Sequence, residues 1–245
     1  MNMQTQSRLP RLLLVEDDAT SQAYLRTVLE ALPAHVEVAA TLAAALHAGG
    51  DVQHDLWLID ANLPDGSGAQ LLARLRARHP HVPALAHTAD GSDEIRQGLL
   101  QAGFAQVLAK PLARAELLAA VRGQLGPVAA TEVVVVGADA DDTAASAPDW
   151  DDVAALGALN GQQAHVAALR SLFLSELARD RTHIASALQR HDTPTLRDHL
   201  HRLQASCGFV GASRLGQAVR QLRQAPEADS ARRQFDAAVS ALLQP

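Results

Sequence analysis

Five short apolar runs, spaced along the first half of the chain, limit what that half can become. They are "RLLLV" (11–15), "HVEVA" (35–39), "DLWLI" (55–59), "VPALA" (82–86) and "AQVLA" (105–109). Each has the length and branching of a strand, and between them lie helical patterns near 20–32, 41–48, 67–78, 92–102 and 112–125. Strands this apolar must be covered on both faces, and strands alternating with helices pair in parallel. The reading is therefore an α/β domain built on a five-stranded parallel sheet, with turns at "LPDGSG" and at the glycines 49–50. Apolar residues make up 48% of the chain and aromatics only 3%, so the core must be made of Leu, Ala and Val.

The pattern then changes. Residues 126–148 are rich in Ala, Asp and Thr, lack helical periodicity and read as a linker. Its run Val133–Val136 would favour strand pairing if exposed, so it is expected to dock on one of the domains. From about 150 the strand signals stop. Val166, Leu169, Leu172, Phe173, Leu177, Ile184 and Leu188 lie mostly at helical spacing within 162–190. A second helix is expected from Thr193 as N-cap and Pro194 in the first helical position, and two more over 212–225 and 227–243. Long helices on short connections make an antiparallel bundle. The 245 residues thus divide into an α/β domain (9–125), a linker (126–148) and an all-α bundle (149–243).

A formal net charge of −6 argues against a sequence-independent nucleic-acid binder, which needs a basic surface to displace counterions. The single Cys207 excludes an intrachain disulfide and suits a reducing compartment. The opening "MNMQTQSRLPRLLLVEDD" lacks the apolar core of a signal peptide, and no run approaches a membrane span. The expectation is a cytoplasmic protein with neither nucleic acid nor membrane insertion.

Chemistry collects where the strands end. In an open parallel sheet, ligands bind outside the carboxyl ends of the strands, where the strand order reverses. The first run is followed by Glu16-Asp17-Asp18, the third by Asp60, the fourth by His87-Thr88 and the fifth by Lys110-Pro111. If the first, third and fifth strands are neighbours, the acids and the lysine converge. Clustered carboxylates repel unless a cation intervenes, and oxygen donors favour a hard ion such as Mg²⁺. An ionised aspartate beside such an ion and a lysine is suited to attack on a phosphoryl group, and Thr88 can hydrogen-bond the same oxygens.

With these residues in this order, 9–125 resembles the flavodoxin-like receiver domain of two-component response regulators. The matching residues are Glu16-Asp17, the acceptor in "DANLPDGSG", the hydroxyl in "AHTA" and "KP" at 110–111. The resemblance implies that Asp60 is phosphorylated by a sensor histidine kinase. It implies that Asp17 and Asp60 bind Mg²⁺ with the Asn62 carbonyl, that Glu16 acts through water, and that Lys110 and Thr88 contact the phosphoryl group. One position departs: Val107 stands where receivers usually carry a Tyr or Phe switch residue, so switching through an aromatic ring is in doubt.

The bundle has five histidines. In 194–208 the apolar stripe is Leu196, Leu200, Leu203 and Cys207. At about 100° per residue, His201 points roughly 130° from the stripe's centre, into solvent, while His199 lies on its flank. Ala205 and Gly208 leave room for a partner, and an exposed imidazole can accept a phosphoryl group. Residues 150–243 resemble a histidine phosphotransfer domain, through "LHRLQASCGFVGASRL" and the upstream "LRSLFLSEL" and "ALQRHDTPTLRDHL". Gln204 replaces the family's usual lysine and Ala205 its glycine, so transfer through His201 is expected to be slower, with Arg202 as a possible substitute cation.

Other residues have plainer readings. Trp57 is core, and Trp150 packs the start of the bundle against its second helix. The arginines of "LLARLRARHP" form a solvated helix face, and His79 and His81 give no metal signal. The whole then reads as a phosphorelay protein exchanging phosphoryl groups with a sensor kinase and with other receiver or phosphotransfer domains, with no kinase ATP site in this sequence. Two rivals remain in view. One is an active receiver with an inert docking bundle. The other is a haloacid-dehalogenase-type phosphatase, which wants aspartate where Asn62 stands.

Overall fold

A computed structural model describes residues 8–110, 112–126, 147–158 and 163–244. Val133–Val136, most of the proposed linker, Pro111 and the first seven residues lie outside the described residues. The chain forms two compact units.

The α/β unit has strands β1 (Arg11–Val15), β2 (His35–Ala39), β3 (Leu56–Asp60), β4 (Asn62–Leu63), β5 (Gly66–Ser67), β6 (Ala84–Thr88) and β7 (Gln106–Ala109). Its helices are α1 (Ala19–Leu29), α2 (Leu42–Asp51), α3 (Gly68–Arg76), α4 (Asp93–Gln101) and α5 (Arg114–Leu125). The five expected strands pair in parallel in the order β2-β1-β3-β6-β7. The short hairpin β4–β5 was not expected, because two-residue strands carry no periodicity.

Side chains of β1 and β3 alternate between the two faces. Leu13, Val15, Trp57 and Ile59 join a core with Leu71, Leu72 and Leu75 of α3. On the opposite face Leu12, Leu14, Leu56 and Leu58 are buried, and α5 packs on β3 through this side of the unit. Trp57 is fully enclosed, as a core residue should be.

The helical unit comprises α6 (Asp152–Ala158), α7 (Gln163–Gln189), α8 (Thr193–Val210), α9 (Ser213–Gln224) and α10 (Asp229–Leu243). Four of these match the expected helices, and α6 is an addition too short for its period to stand out. Asp192 rather than Thr193 is the N-cap of α8, its carboxylate accepting from the Thr195 N–H at 3.2 Å. Both residue types cap well, and one residue decides the choice: starting at Thr193 places Pro194 still within the first turn, where its missing N–H leaves no bond unmade.

The stripe Leu196, Leu200, Leu203 and Cys207 is buried as expected. Helix α8 packs against α6, α7 and α9, so its enclosed surface extends beyond that stripe to Phe209 and Val210. Gly211 ends α8 in the left-handed conformation (φ 72°), and a Cβ there would run into the Asp151 carbonyl. Trp150 packs edge-on to Phe173 of α7, with the Arg170 guanidinium 4.6 Å from its ring centre. Among the described residues no helix is long and apolar enough to cross a membrane.

Candidate functional site

The sheet order reverses between β1 and β3, which places the C-terminal ends of those strands at a crevice. Glu16 follows β1 and Asp60 closes β3. One part of the expected layout is corrected. β1 and β3 are neighbours, but β7 is separated from β3 by β6. The convergence survives because the long lysine side chain crosses the end of β6. Lys110 Nζ donates to Glu16 Oε2 at 2.6 Å and to Asp60 Oδ2 at 2.5 Å.

All three groups are buried: the side chains of Glu16, Asp60 and Lys110 are 0%, 7% and 4% exposed. Burial by itself favours the neutral acid at Asp60. The Lys110 ammonium and the Asn62 N–H, 2.9 Å from Oδ1, outweigh it and hold the carboxyl below its usual range. Burial likewise opposes the charge on Lys110, and the two carboxylates raise its pKa in spite of that. Asp60 is therefore an ionised, oriented carboxylate at neutral pH.

The segment after Asp60 is fixed from several sides, which explains the turn residues of "LPDGSG". Asp65 accepts from the N–H groups of Leu42 (2.7 Å) and Ala43 (2.9 Å), at the start of α2. Ser67 caps α3 in a reciprocal capping box with Gln70. Gly68 lies so close to Asp60 that a Cβ would overlap the Asp60 carbonyl oxygen and approach Ile59 Cγ2 at 3.1 Å. Gly68→Ala is thus expected to displace the end of β3 and to destabilise the unit by about 2 kcal/mol, as overpacking does. Denaturant unfolding of the variant measures this.

Thr88 ends β6, buried, and its Oγ1 accepts from the Asp90 N–H at 3.1 Å. That bond does not use the hydroxyl proton. Asp17 is half-buried in the loop after β1, and Asn62 is exposed. Val107 is partly buried and packs on the core beneath the site.

His87 belongs to the site and had no role in the sequence reading. Its Nδ1 lies 3.5 Å from Glu16 Oε2 and 4.0 Å from Asp60 Oδ2, and the ring is fully buried. Burial and the Lys110 charge push its pKa down to about 3, so the imidazole is neutral. Its unfolded-state pKa is near 6.5, so the stability it contributes is present above that value and is lost as pH falls towards about 3. The available signal was its place at a strand end, next to Thr88.

In the helical unit His201 is half-buried on α8, where a single-stripe reading sends it into solvent. With its amide oriented to suit both neighbours, Gln204 donates to the Gly216 carbonyl (3.0 Å) and accepts from Arg220 Nη1 (3.2 Å). The residue standing where the family has lysine is thus held by α9.

Comparison with known families finds two matches along the chain. Residues 12–122 match the response regulator receiver domain and residues 168–244 match the Hpt domain. The chain is a receiver domain joined to an Hpt domain. It is 29% identical over 222 residues to the sensor histidine kinase GacS of Pseudomonas protegens, covering 85% of this chain and 23% of GacS. Over 113 residues it is 38% identical to the aerobic respiration control sensor protein ArcB of Escherichia coli, covering 45% of this chain and 14% of ArcB. The receiver–Hpt chain therefore spans about a quarter or less of these relatives. Among solved structures, the receiver domain of the sensor histidine kinase PA1611 from Pseudomonas aeruginosa, described with a magnesium ion in its active-site cleft, is 31% identical. That match has a TM-score of 0.46 and covers 49% of this chain and all of the other.

Proposed function

We infer that this receiver–Hpt chain is a phosphorelay module. In this reading Asp60 accepts a phosphoryl group from a sensor histidine kinase, and His201 exchanges phosphoryl groups with other receiver or Hpt domains. The receiver would occupy 9–125, the linker 126–148 and the Hpt bundle 149–243, working in the cytoplasm. The observation that carries the reading is the Lys110 ammonium shared by Glu16 and Asp60 over the ends of the strands.

Two buried carboxylates against one ammonium leave an excess negative charge and an all-oxygen donor set, which fits a hard divalent cation. Glu16, Asp17, Asp60 and the Asn62 carbonyl would hold Mg²⁺. When bound, the ion supplies charge stabilisation to the transferring phosphoryl oxygens. The chain's own groups do the rest. The Asn62 N–H orients the Asp60 carboxylate for in-line attack, the bond from phosphorus to the donor's imidazole breaks as the acyl phosphate forms, and Lys110 and Thr88 offer donors to the equatorial oxygens.

Lys110→Ala tests this assignment. It removes the counter-charge from two buried carboxylates and is expected to cost about 3 kcal/mol in the metal-free chain, partly recovered with Mg²⁺. Binding of beryllofluoride, a phosphoryl mimic, should weaken far more than binding of Mg²⁺ itself. Equal losses for the mimic and the metal would make Lys110 purely structural.

A further inference from the structure

A second polar cluster lies in the Hpt bundle. Asp180 and His183 are three residues apart on α7 and so share one face of that helix, while His199 comes from α8. One ligand atom from each of the three lies within 4.8 Å of the others. The two imidazole rings are 5.1 Å apart, centre to centre. His183 is exposed and the other two are half-buried, so an ion from solvent can reach them.

We propose that Asp180, His183 and His199 form a binding site for a divalent transition-metal cation, Zn²⁺ foremost, that bridges α7 and α8. Two imidazoles and one carboxylate are a borderline-soft donor set that discriminates against Mg²⁺ and Ca²⁺. Around a tetrahedral ion with bonds of about 2.0 Å the ligand atoms sit roughly 3.3 Å apart, so a small side-chain contraction closes the site. The fourth position is left to water.

Arg202 opposes the ion. Its Nη2 is 3.3 Å from His199 Nδ1, and a guanidinium can only donate, so Nδ1 accepts and the neutral ring carries its proton on Nε2. Coordination through Nδ1 takes the lone pair that Arg202 uses. Coordination through Nε2 moves the proton to Nδ1, where it faces the guanidinium. Either route makes Arg202 release His199, so metal and arginine compete for one ring. A neutral imidazole is the form that ligates.

The test uses the full chain carrying Asp60→Asn, stripped of metal and kept in millimolar Mg²⁺. These conditions suppress binding at the receiver's buried carboxylates. Zn²⁺ is titrated by calorimetry, and Co²⁺ is used as a spectroscopic probe of tetrahedral coordination. One Zn²⁺ per chain should bind. His183→Ala and His199→Ala should each weaken it at least tenfold and abolish the tetrahedral Co²⁺ bands, and Arg202→Gln should tighten it several-fold. Asp180→Asn, nearly isosteric, gives a reading that does not depend on losing a ring, and far-UV circular dichroism checks that each variant is folded. Zn²⁺ affinity unchanged in folded His183→Ala and His199→Ala overturns the site. The phosphoryl reading is untouched by that result, because no step in it uses these three residues.

Discussion

Asp60→Asn is expected to abolish labelling of the receiver by acetyl phosphate in the presence of Mg²⁺. Asparagine preserves the shape at the end of β3 and still offers an oxygen to the Asn62 N–H, whose bond to Asp60 is 2.9 Å in the native chain. It has no anionic oxygen to attack phosphorus. Lys110 keeps one of its two partners, Glu16, at 2.6 Å, so the buried ammonium is not left unpaired and the fold should persist. The expected result is therefore a folded chain with no base-labile label in the receiver, against ready labelling of the native sequence. Label that forms equally in both would remove Asp60 from the acceptor role.

The second large effect is expected at His201. In an Asp60→Asn background, a phosphorylated receiver domain should pass label to the bundle. A phosphohistidine survives base and is lost in acid, whereas an acyl phosphate is hydrolysed readily in base, so the two sites are chemically separable. His201→Ala should take no base-stable label. His199→Ala should label normally, because its ring is turned towards α7 and Arg202.

Gln204 refines this expectation. A cation placed near the phosphoryl oxygens contributes about 1 kcal/mol, or roughly fivefold in rate. A lysine at 204, however, would set a second cation against Arg220, whose Nη1 would lose the acceptor that the Gln204 amide oxygen supplies. The gain is accordingly expected from Gln204→Lys together with Arg220→Ala, and not from Gln204→Lys alone. Normal labelling of His201→Ala would point to another acceptor, and a native bundle that never labels would favour the docking-bundle alternative.

The central strands β1, β3 and β6 were legible because both of their faces are buried, so that apolar residues run nearly without interruption, while the edge strands β2 and β7 are partly exposed and carry polar residues; each was placed within two residues. The acids, the threonine and the lysine were legible because a parallel sheet puts its chemistry at one end of every strand. What sequence could not supply was lateral order. Strand adjacency depends on crossover connections, and nothing in "AQVLAKP" says that β6 intervenes between β7 and β3.

His87 was missed for a related reason. Its neighbours Glu16 and Asp60 are far away in sequence, and a histidine at a strand end has no local pattern of its own. Asp65 and Gly68 looked like ordinary turn chemistry, yet one holds the start of α2 and the other admits the backbone of Asp60. In the bundle the stripe on α8 was read correctly, while the half-burial of His201 was not. A helical wheel shows one face of one helix and does not count its neighbours.

Two phosphoryl carriers, Asp60 and His201, are expected to act in this chain. The most direct measurement offers the full chain to a phosphorylated sensor histidine kinase, with another receiver domain available downstream, and divides the bound label by its stability in acid and base. The native chain should take up both kinds of label. Asp60→Asn should lose the base-labile part, His201→Ala the base-stable part, and the double variant should take up none. Label retained by the folded double variant would mean that phosphate rests on neither Asp60 nor His201.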